Sequence, residues 1–531
     1  MKPFLCSALL ASILALGACG SDDDGPVAGG AAGDGIESDG GADASRFTPT
    51  LRPVDCAELA SEAIVEVGVF GPENDRAECA LVSVPADWST PDGDTIELAL
   101  YRVPSTAETP AADPVIYLEG GPGGAGVSTL PEFLDGGAGG AAYLRERSDV
   151  YVLDQRGTGY SRPALYCPEL AAAERGESDL TVAWNACRDR FVADGVDFAD
   201  YTSANNARDV EAVREALGIE RWNLYGLSYG TRLALTAMRD VPGNLRSVVL
   251  DSVFPPQING IAESAYPIYW AIEQIAINCA ADDDCAENVG DIRAKIEQGV
   301  ARLDANPLTI DGETFAAGDY LQLIAARIAE PELPSIVLAV ADADDATLAA
   351  SLAEAGGDEG DGEDELPPLD QVDPAVYPFV ADTAEGMYAA VVCAEEVPFP
   401  ADVASPDIAG GFSETLQRVV TEGTRDENIE IACAVLGVPA ADPIEVAAVE
   451  SAIPTLVLAG TADIQTPPTW SLLAAETLPN AQYAEFAGLG HGLLGDNACL
   501  NAITSDFLAA PEEAASQACI VDLPGVDYVT E

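Results

Sequence analysis

The sequence of 531 residues sets 24 Lys and Arg against 90 Asp and Glu, a formal net charge of −66. A chain this negative repels phosphate backbones, which excludes nucleic-acid binding. Its 48% hydrophobic content supports a large buried core rather than the disorder that one-sided charge often signals. The whole chain holds one histidine.

At the N-terminus, Lys2 precedes an apolar run from Phe4 to Ala18 that is too short to be a comfortable membrane span. The run closes on Leu16-Gly17-Ala18-Cys19, which resembles the lipobox of bacterial lipoproteins. That resemblance implies cleavage after residue 18 and a diacylglycerol on Cys19; an ordinary cleaved signal peptide is the alternative. Gly20 after the cysteine points to the outer membrane or cell surface rather than inner-membrane retention. Residues 19–49, rich in Gly, Ala and Asp, read as a flexible tether.

Apart from Cys6 and Cys19, the cysteines are 56, 79, 167, 187, 279, 285, 393, 433, 499 and 519. An even number in an exported chain implies disulfides, although sequence alone does not fix their pairing. Their proximity in five sequential pairs predicts Cys56–Cys79, Cys167–Cys187, Cys279–Cys285, Cys393–Cys433 and Cys499–Cys519. Zinc is disfavoured, because no CxxC is present and one histidine is too few to help.

Downstream of Cys79, two strands are predicted around the turn Pro91-Asp92-Gly93. Val115–Leu118 is a third, running into the glycine loop 120–124. Strands follow at 149–153, 222–225 and 247–251, with helices over 205–217 and from Thr231 onward. This alternation predicts a mostly parallel, doubly wound α/β sheet. From 255 to 450 the periodicity is mainly helical, as in an inserted cap domain, before strands resume at 455–458 and 483–486. The core is thus expected in two parts, 50–254 and 451–531. Within the insertion, the acidic stretch 354–365 reads as a solvated loop; it lacks the spacing of a calcium-binding EF-hand.

Gly226-Leu227-Ser228-Tyr229-Gly230 matches G-x-S-x-G at a strand-to-helix junction, the setting a nucleophile elbow requires. A serine hydroxyl needs a base to take its proton, and the only histidine available is His491, in a glycine-flanked loop after the last predicted strand. Asp463, just beyond the strand 455–458, is the candidate acid that would orient the imidazole. The chain order Ser228, Asp463, His491 is that of the α/β-hydrolase fold. For the oxyanion hole, the backbone N–H groups of Tyr229 and Gly121 are the candidates. A phosphate-cradling role for the glycine loop would need a following Gly-Lys-Ser/Thr, which is missing.

The glycine loop 120–124, the segment DQRGTGYS at 154–161, RDVEAVREALG followed by YGLSYGT, and AGTADIQTP followed by GLGHG together resemble the serine aminopeptidases. That family includes prolyl aminopeptidases and Streptomyces-type tripeptidyl aminopeptidases. The resemblance spans most of the chain from Cys56 to Cys519. Prolyl enzymes usually place His before the glycine loop, where this chain has Glu119, so the tripeptidyl branch is the closer fit. The resemblance implies an α/β-hydrolase fold with a cap whose carboxylates bind the substrate's free amine. Glu395 and Glu396 are the candidates, with ordinary surface acids as the alternative. Asp154 and Arg156 are expected to brace loops around the site.

The expected function is removal of N-terminal residues or short peptides through an acyl-enzyme, by a monomer needing no metal or organic cofactor. An esterase or small-amide hydrolase would use the same machinery, and a surface-binding protein on an inactive scaffold is the rival from another class.

Overall fold

The computed structural model describes residues 47–56, 59, 77–134, 140–310, 313–342, 369–371, 374, 377, 381, 383–399 and 404–530. The expected signal segment 1–18, Cys19, most of the expected tether and the acidic stretch 354–365 lie outside the described residues.

Nine strands form one sheet: β1 (Thr50–Val54), β2 (Glu78–Pro85), β3 (Thr95–Val103), β4 (Val115–Leu118), β5 (Val150–Leu153), β6 (Trp222–Leu227), β7 (Leu245–Asp251), β10 (Thr455–Gly460) and β11 (Ala481–Phe486). A small antiparallel hairpin, β8 (Leu308–Ile310) with β9 (Glu313–Phe315), stands apart from it. The large sheet runs in the order β1-β2-β3-β5-β4-β6-β7-β10-β11. Its first three pairings are antiparallel and the remaining five are parallel. The fold is α/β, as the alternation predicts.

The central strands are largely apolar, and β4 and β5 wholly so, because both faces of a doubly wound sheet are covered. On β4, Ile116 and Leu118 enter one core, while Val115 and Tyr117 enter the core on the opposite face. The helix Ser203–Leu217 is stopped at each end by its own chemistry. Thr202 caps its first turn by accepting from the Asn205 N–H, and Gly218 closes it with φ 68°, in the left-handed region.

Between β7 and β10 the chain is mainly helical, including Tyr266–Ala281, Ile292–Ala305, Ala317–Ala326, Leu333–Asp342, Glu385–Glu395, Glu414–Gly423 and Glu427–Leu436. The hairpin β8–β9 lies among these helices, within a region that is mainly helical as expected. Several of these helices build a third core from Ile272, Ile296, Leu303, Tyr320 and Val337. Ala462, next to Asp463, and Tyr528 near the C-terminus join that core. The insertion therefore packs directly on the loop that carries the candidate acid.

The pairs Cys56–Cys79, Cys167–Cys187, Cys279–Cys285, Cys393–Cys433 and Cys499–Cys519 are disulfide-bonded. Among the described residues no helix is long and apolar enough to cross a membrane.

Candidate active site

Ser228 sits between β6 and the helix Tyr229–Asp240 with φ 55° and ψ −122°. A non-glycine residue held in this region is strained, and the surrounding close packing enforces it. A Cβ at Gly226 would collide with the Gly230 carbonyl, and one at Gly230 would collide with the Leu118 carbonyl. Only glycine at both positions lets the turn close so tightly. The hydroxyl is thereby presented at the C-terminal ends of the parallel strands, partly exposed.

Asp463 follows β10 and is completely buried, whereas the His491 side chain is 16% exposed. The imidazole Nδ1 lies 3.1 and 3.0 Å from the two Asp463 carboxylate oxygens. This pairing assigns the Nδ1–H donor to Asp463 and leaves Nε2 as the basic nitrogen. Asp463 accepts three more bonds at 2.8 Å, from the Gln465 N–H, the Thr466 N–H and the Thr466 hydroxyl. Thr466 Oγ1 is also 3.2 Å from His491 Nδ1. Burial alone would raise the Asp463 pKa, but the His491 charge and these hydrogen bonds outweigh it and hold the carboxyl below its ordinary 3.8. For His491, burial opposes the charged form, yet Asp463, with lesser help from Asp251 and Glu119, moves its pKa above 6.5.

The His491 loop lies against the elbow. A Cβ on Gly492 would stand 3.4 Å from Leu227 Cδ1, beside the nucleophile. Among the described residues no hydrogen bond joins the Ser228 hydroxyl to the imidazole; such contacts are often long until substrate arrives.

Gly120 packs so closely on Ser228 that a Cβ there would come within 2.8 Å of Ser228 Cβ. The next residue, Gly121, has φ 109°. Neither its N–H nor that of Tyr229 finds an acceptor among the described residues. The Tyr229 N–H belongs to the first turn of the helix after the elbow, where backbone donors are unpaired and the helix dipole favours negative charge. Both donors therefore have no acceptor among the described residues, and each is next in sequence to a residue at the elbow, Gly120 or Ser228. The Gly120 N–H has an acceptor, the Glu119 carboxylate, at 2.8 Å.

Glu395 and Glu396 are only 1% and 3% exposed, which overturns the alternative of ordinary surface acids. Glu396 accepts from Arg232 Nη1 at 3.0 Å, in an ion pair buried on both sides. Glu395 accepts from the Ser203 N–H and hydroxyl at 2.7 and 2.8 Å, and Ser203 Oγ is 2.8 Å from the Tyr229 hydroxyl. A polar chain thus runs from the insertion to the residue after the nucleophile.

Asp154 accepts from the Val127 and Tyr160 N–H groups at 2.9 and 2.7 Å. Arg156 pairs with Asp209 at 2.7 Å and donates to the carbonyls of Pro85, Ala86 and Asp200. Both act as braces. The one cluster of potential metal ligands among the described residues is Cys167, Glu169 and Cys187, whose two sulfurs are joined to each other and offer no thiolate. Thr466 and Asp251 escape the sequence reading; the only local signal for Thr466 is a hydroxyl three residues after the acid, at the reach of an Asx turn.

Residues 113–277 match a family model described as alpha/beta hydrolase fold, and residues 420–519 match one described as TAP-like protein. The second match begins inside the helical insertion. The tripeptidyl aminopeptidase of Streptomyces lividans is 27% identical over 248 residues, covering 43% of this chain and 45% of that protein. Serine protease Hip1 of Mycobacterium bovis (strain ATCC BAA-935 / AF2122/97) is 30% identical over 236 residues, 40% of this chain and 42% of that protein. A probable proline iminopeptidase of Streptomyces coelicolor is 31% identical over 140 residues, 26% of this chain and 32% of that protein. The chain therefore spans less than half the length of the curated relatives it matches. By its sheet, its elbow and these matches, the chain has the α/β-hydrolase fold and is similar in its matched regions to the serine aminopeptidases.

Proposed function

We propose that this protein is a serine hydrolase of the aminopeptidase type. The observation that carries the reading is the buried Asp463 holding the sole histidine by Nδ1, in a loop packed beside a strained Ser228. His491 Nε2 takes the Ser228 proton as Oγ attacks the scissile carbonyl. The Gly121 and Tyr229 N–H groups stabilise the oxyanion. The protonated imidazole then gives its proton to the leaving amine, and water repeats the sequence on the acyl-enzyme.

Exopeptidase action needs a group for the substrate's α-ammonium. Arg232 forms its ion pair with Glu396, whereas Glu395, whose pKa burial raises against the pull of the nearby Arg232 charge, has no ion pair of its own among the described residues. We assign the amine to Glu395. Five disulfides support an oxidising, extracytoplasmic compartment, and the lipobox-like segment supports a lipid anchor on Cys19.

The test pairs a fluorophosphonate probe with chromogenic aminoacyl, dipeptidyl and tripeptidyl substrates, each with a free or blocked amine. Labelling that disappears in Ser228→Ala, with turnover of the free-amine forms alone, is expected. Equal turnover of blocked substrates or simple esters would replace the aminopeptidase reading with an esterase or amidase. An unlabelled wild type would leave a binding protein on an inactive scaffold.

A further inference from the structure

Asp251 ends β7, and Ser252 follows with φ 57°, a left-handed backbone uncommon for any residue but glycine. From this dipeptide, hydrogen bonds reach every segment that carries a member of the triad. The Asp251 carbonyl accepts from the Ser228 N–H at 3.0 Å. The Ser252 N–H donates at 3.1 Å to the Leu458 carbonyl, on the strand that leads to Asp463. The Ser252 hydroxyl accepts from the Gly492 N–H at 2.9 Å. The Asp251 carboxylate accepts from the Leu493 N–H at 3.0 and 3.1 Å. Thus the two residues after His491 are both pinned by side chains that begin at the end of β7.

The Asp251 carboxylate is fully buried and also accepts from the Tyr225 hydroxyl at 2.7 Å and the Ser252 hydroxyl at 3.2 Å. No Lys or Arg pairs with it among the described residues, so the charge it faces is that of His491. An unpaired buried carboxylate is costly to keep, and its retention here calls for a use. Resting on the triad reading above, we infer that Asp251 and Ser252 are positioning residues for the reaction. They fix the His491 loop against Ser228, and Asp251 presents a second anion to the imidazole without touching the substrate.

Around His491 the charged groups are Asp463, Asp251 and Glu119. Facing Asp251 are His491 and the hydroxyls of Tyr225, Tyr143 and Tyr117. Burial pushes the Asp251 pKa up to about 6, against the pull of its donors and of His491. At neutral pH and above it is therefore an anion, and its removal weakens the imidazolium.

The experiment compares wild type, Ser228→Ala, Asp251→Asn and Ser252→Gly by thermal melt, fluorophosphonate labelling rate, and kcat and KM across pH. Asparagine keeps an acceptor for the Leu493 N–H, and glycine suits the Ser252 backbone, so both variants should fold. Asp251→Asn is expected to lower kcat about tenfold or more with KM little changed, since small misplacements of catalytic groups are expensive. Its acid limb in kcat/KM should also move down by about half a pH unit, as expected when a neighbouring anion is lost. Ser252→Gly should lower kcat and slow labelling while the acid limb stays in place. Folded variants that both match wild type would overturn this inference alone. A wild type as inert as Ser228→Ala would overturn the triad reading and the inference with it.

Discussion

His491 Nδ1 is held by both carboxylate oxygens of Asp463, at 3.1 and 3.0 Å, inside a pocket where Asp463 has no contact with solvent. The pair stabilises the imidazolium, so the imidazole pKa lies above 6.5. Only the neutral ring can accept the Ser228 proton. The acid limb of kcat/KM should therefore have its midpoint above pH 6.5, with activity falling as pH drops through it. Asp463→Asn should move that midpoint down and cost about 10⁴-fold in kcat, because the amide favours the wrong tautomer. A pH profile of both enzymes checks this; an acid limb well below 6.5 in wild type would contradict it.

How much of this was legible depends on where the determining contacts lie in the chain. Ser228 could be found because its glycines sit two residues away on either side and the strand and helix adjoin it. His491 could be found because no other histidine competes for the role. The Arg232–Glu396 pair joins residues 164 apart and leaves no local signature, so the sequence offers Glu396 as a candidate amine ligand or a surface acid and gives no sign of its buried partner. Asp251 looks in sequence like the end of any strand; its importance comes from Leu493, 242 residues later. Strand β1 was missed for a similar reason. Its five residues include an internal proline and an exposed face, and it exists by pairing with β2 at the sheet edge.

The Thr466 hydroxyl donates to Asp463 at 2.8 Å and sits 3.2 Å from the same imidazole nitrogen. It holds the carboxylate in register with the ring. Thr466→Val keeps the shape and removes that bond. A lost hydrogen bond to a charged group is worth about 1.5–3 kcal/mol, so a kcat loss of about tenfold or more is expected. KM should be nearly unchanged, because the hydroxyl acts through Asp463. A larger change in KM than in kcat would place Thr466 in substrate binding instead.

Glu395 and Glu396 are adjacent, yet their substitutions should separate. Arg232 is 1% exposed and depends on Glu396 for its countercharge, so Glu396→Gln strands a buried guanidinium. Breaking such a pair costs about 3–5 kcal/mol, and the melt should shift accordingly. Glu395→Gln retains an acceptor for Ser203 and should melt close to wild type. Its effect should appear in KM for free-amine peptides, with any blocked substrate unaffected. If Glu395→Gln leaves that KM unchanged, the amine is bound elsewhere.

The disulfides should contribute unequally. Cys393 and Cys433 are 40 residues apart, while Cys279 and Cys285 are separated by 6. In the chain-entropy model the longer closure is worth about 4 kcal/mol and the shorter about 2. Cys393 also lies in the helix that ends at Glu395, so this bridge steadies the insertion next to the candidate amine site. Replacing both cysteines of the long pair by serine should lower the unfolding free energy more than replacing those of the short pair. Urea unfolding of the two double variants measures the difference, and the reverse order would show that native packing outweighs loop closure.

Stability should fall as pH rises from 5 to 8. Burial lifts the pKa of Asp154 to about 7, of Asp251 to about 6 and of Glu385 to about 7. Each acid binds its proton more tightly folded than unfolded. Its contribution is complete below the unfolded value near 4 and is lost as pH climbs through the folded one. The raised His491 pKa acts in the same direction at the upper end of this range. Asp463 opposes them only between its depressed folded pKa and its unfolded value near 4, outside the window. The net charge of −66 adds self-repulsion that grows as carboxyls ionise, but salt screens that part while barely reaching the buried acids. Melts at pH 5 and pH 8, each in low and high salt, separate the two. Salt should recover part of the loss at pH 8, and the remainder belongs to the buried carboxyls; full recovery would mean that they titrate as ordinary surface acids.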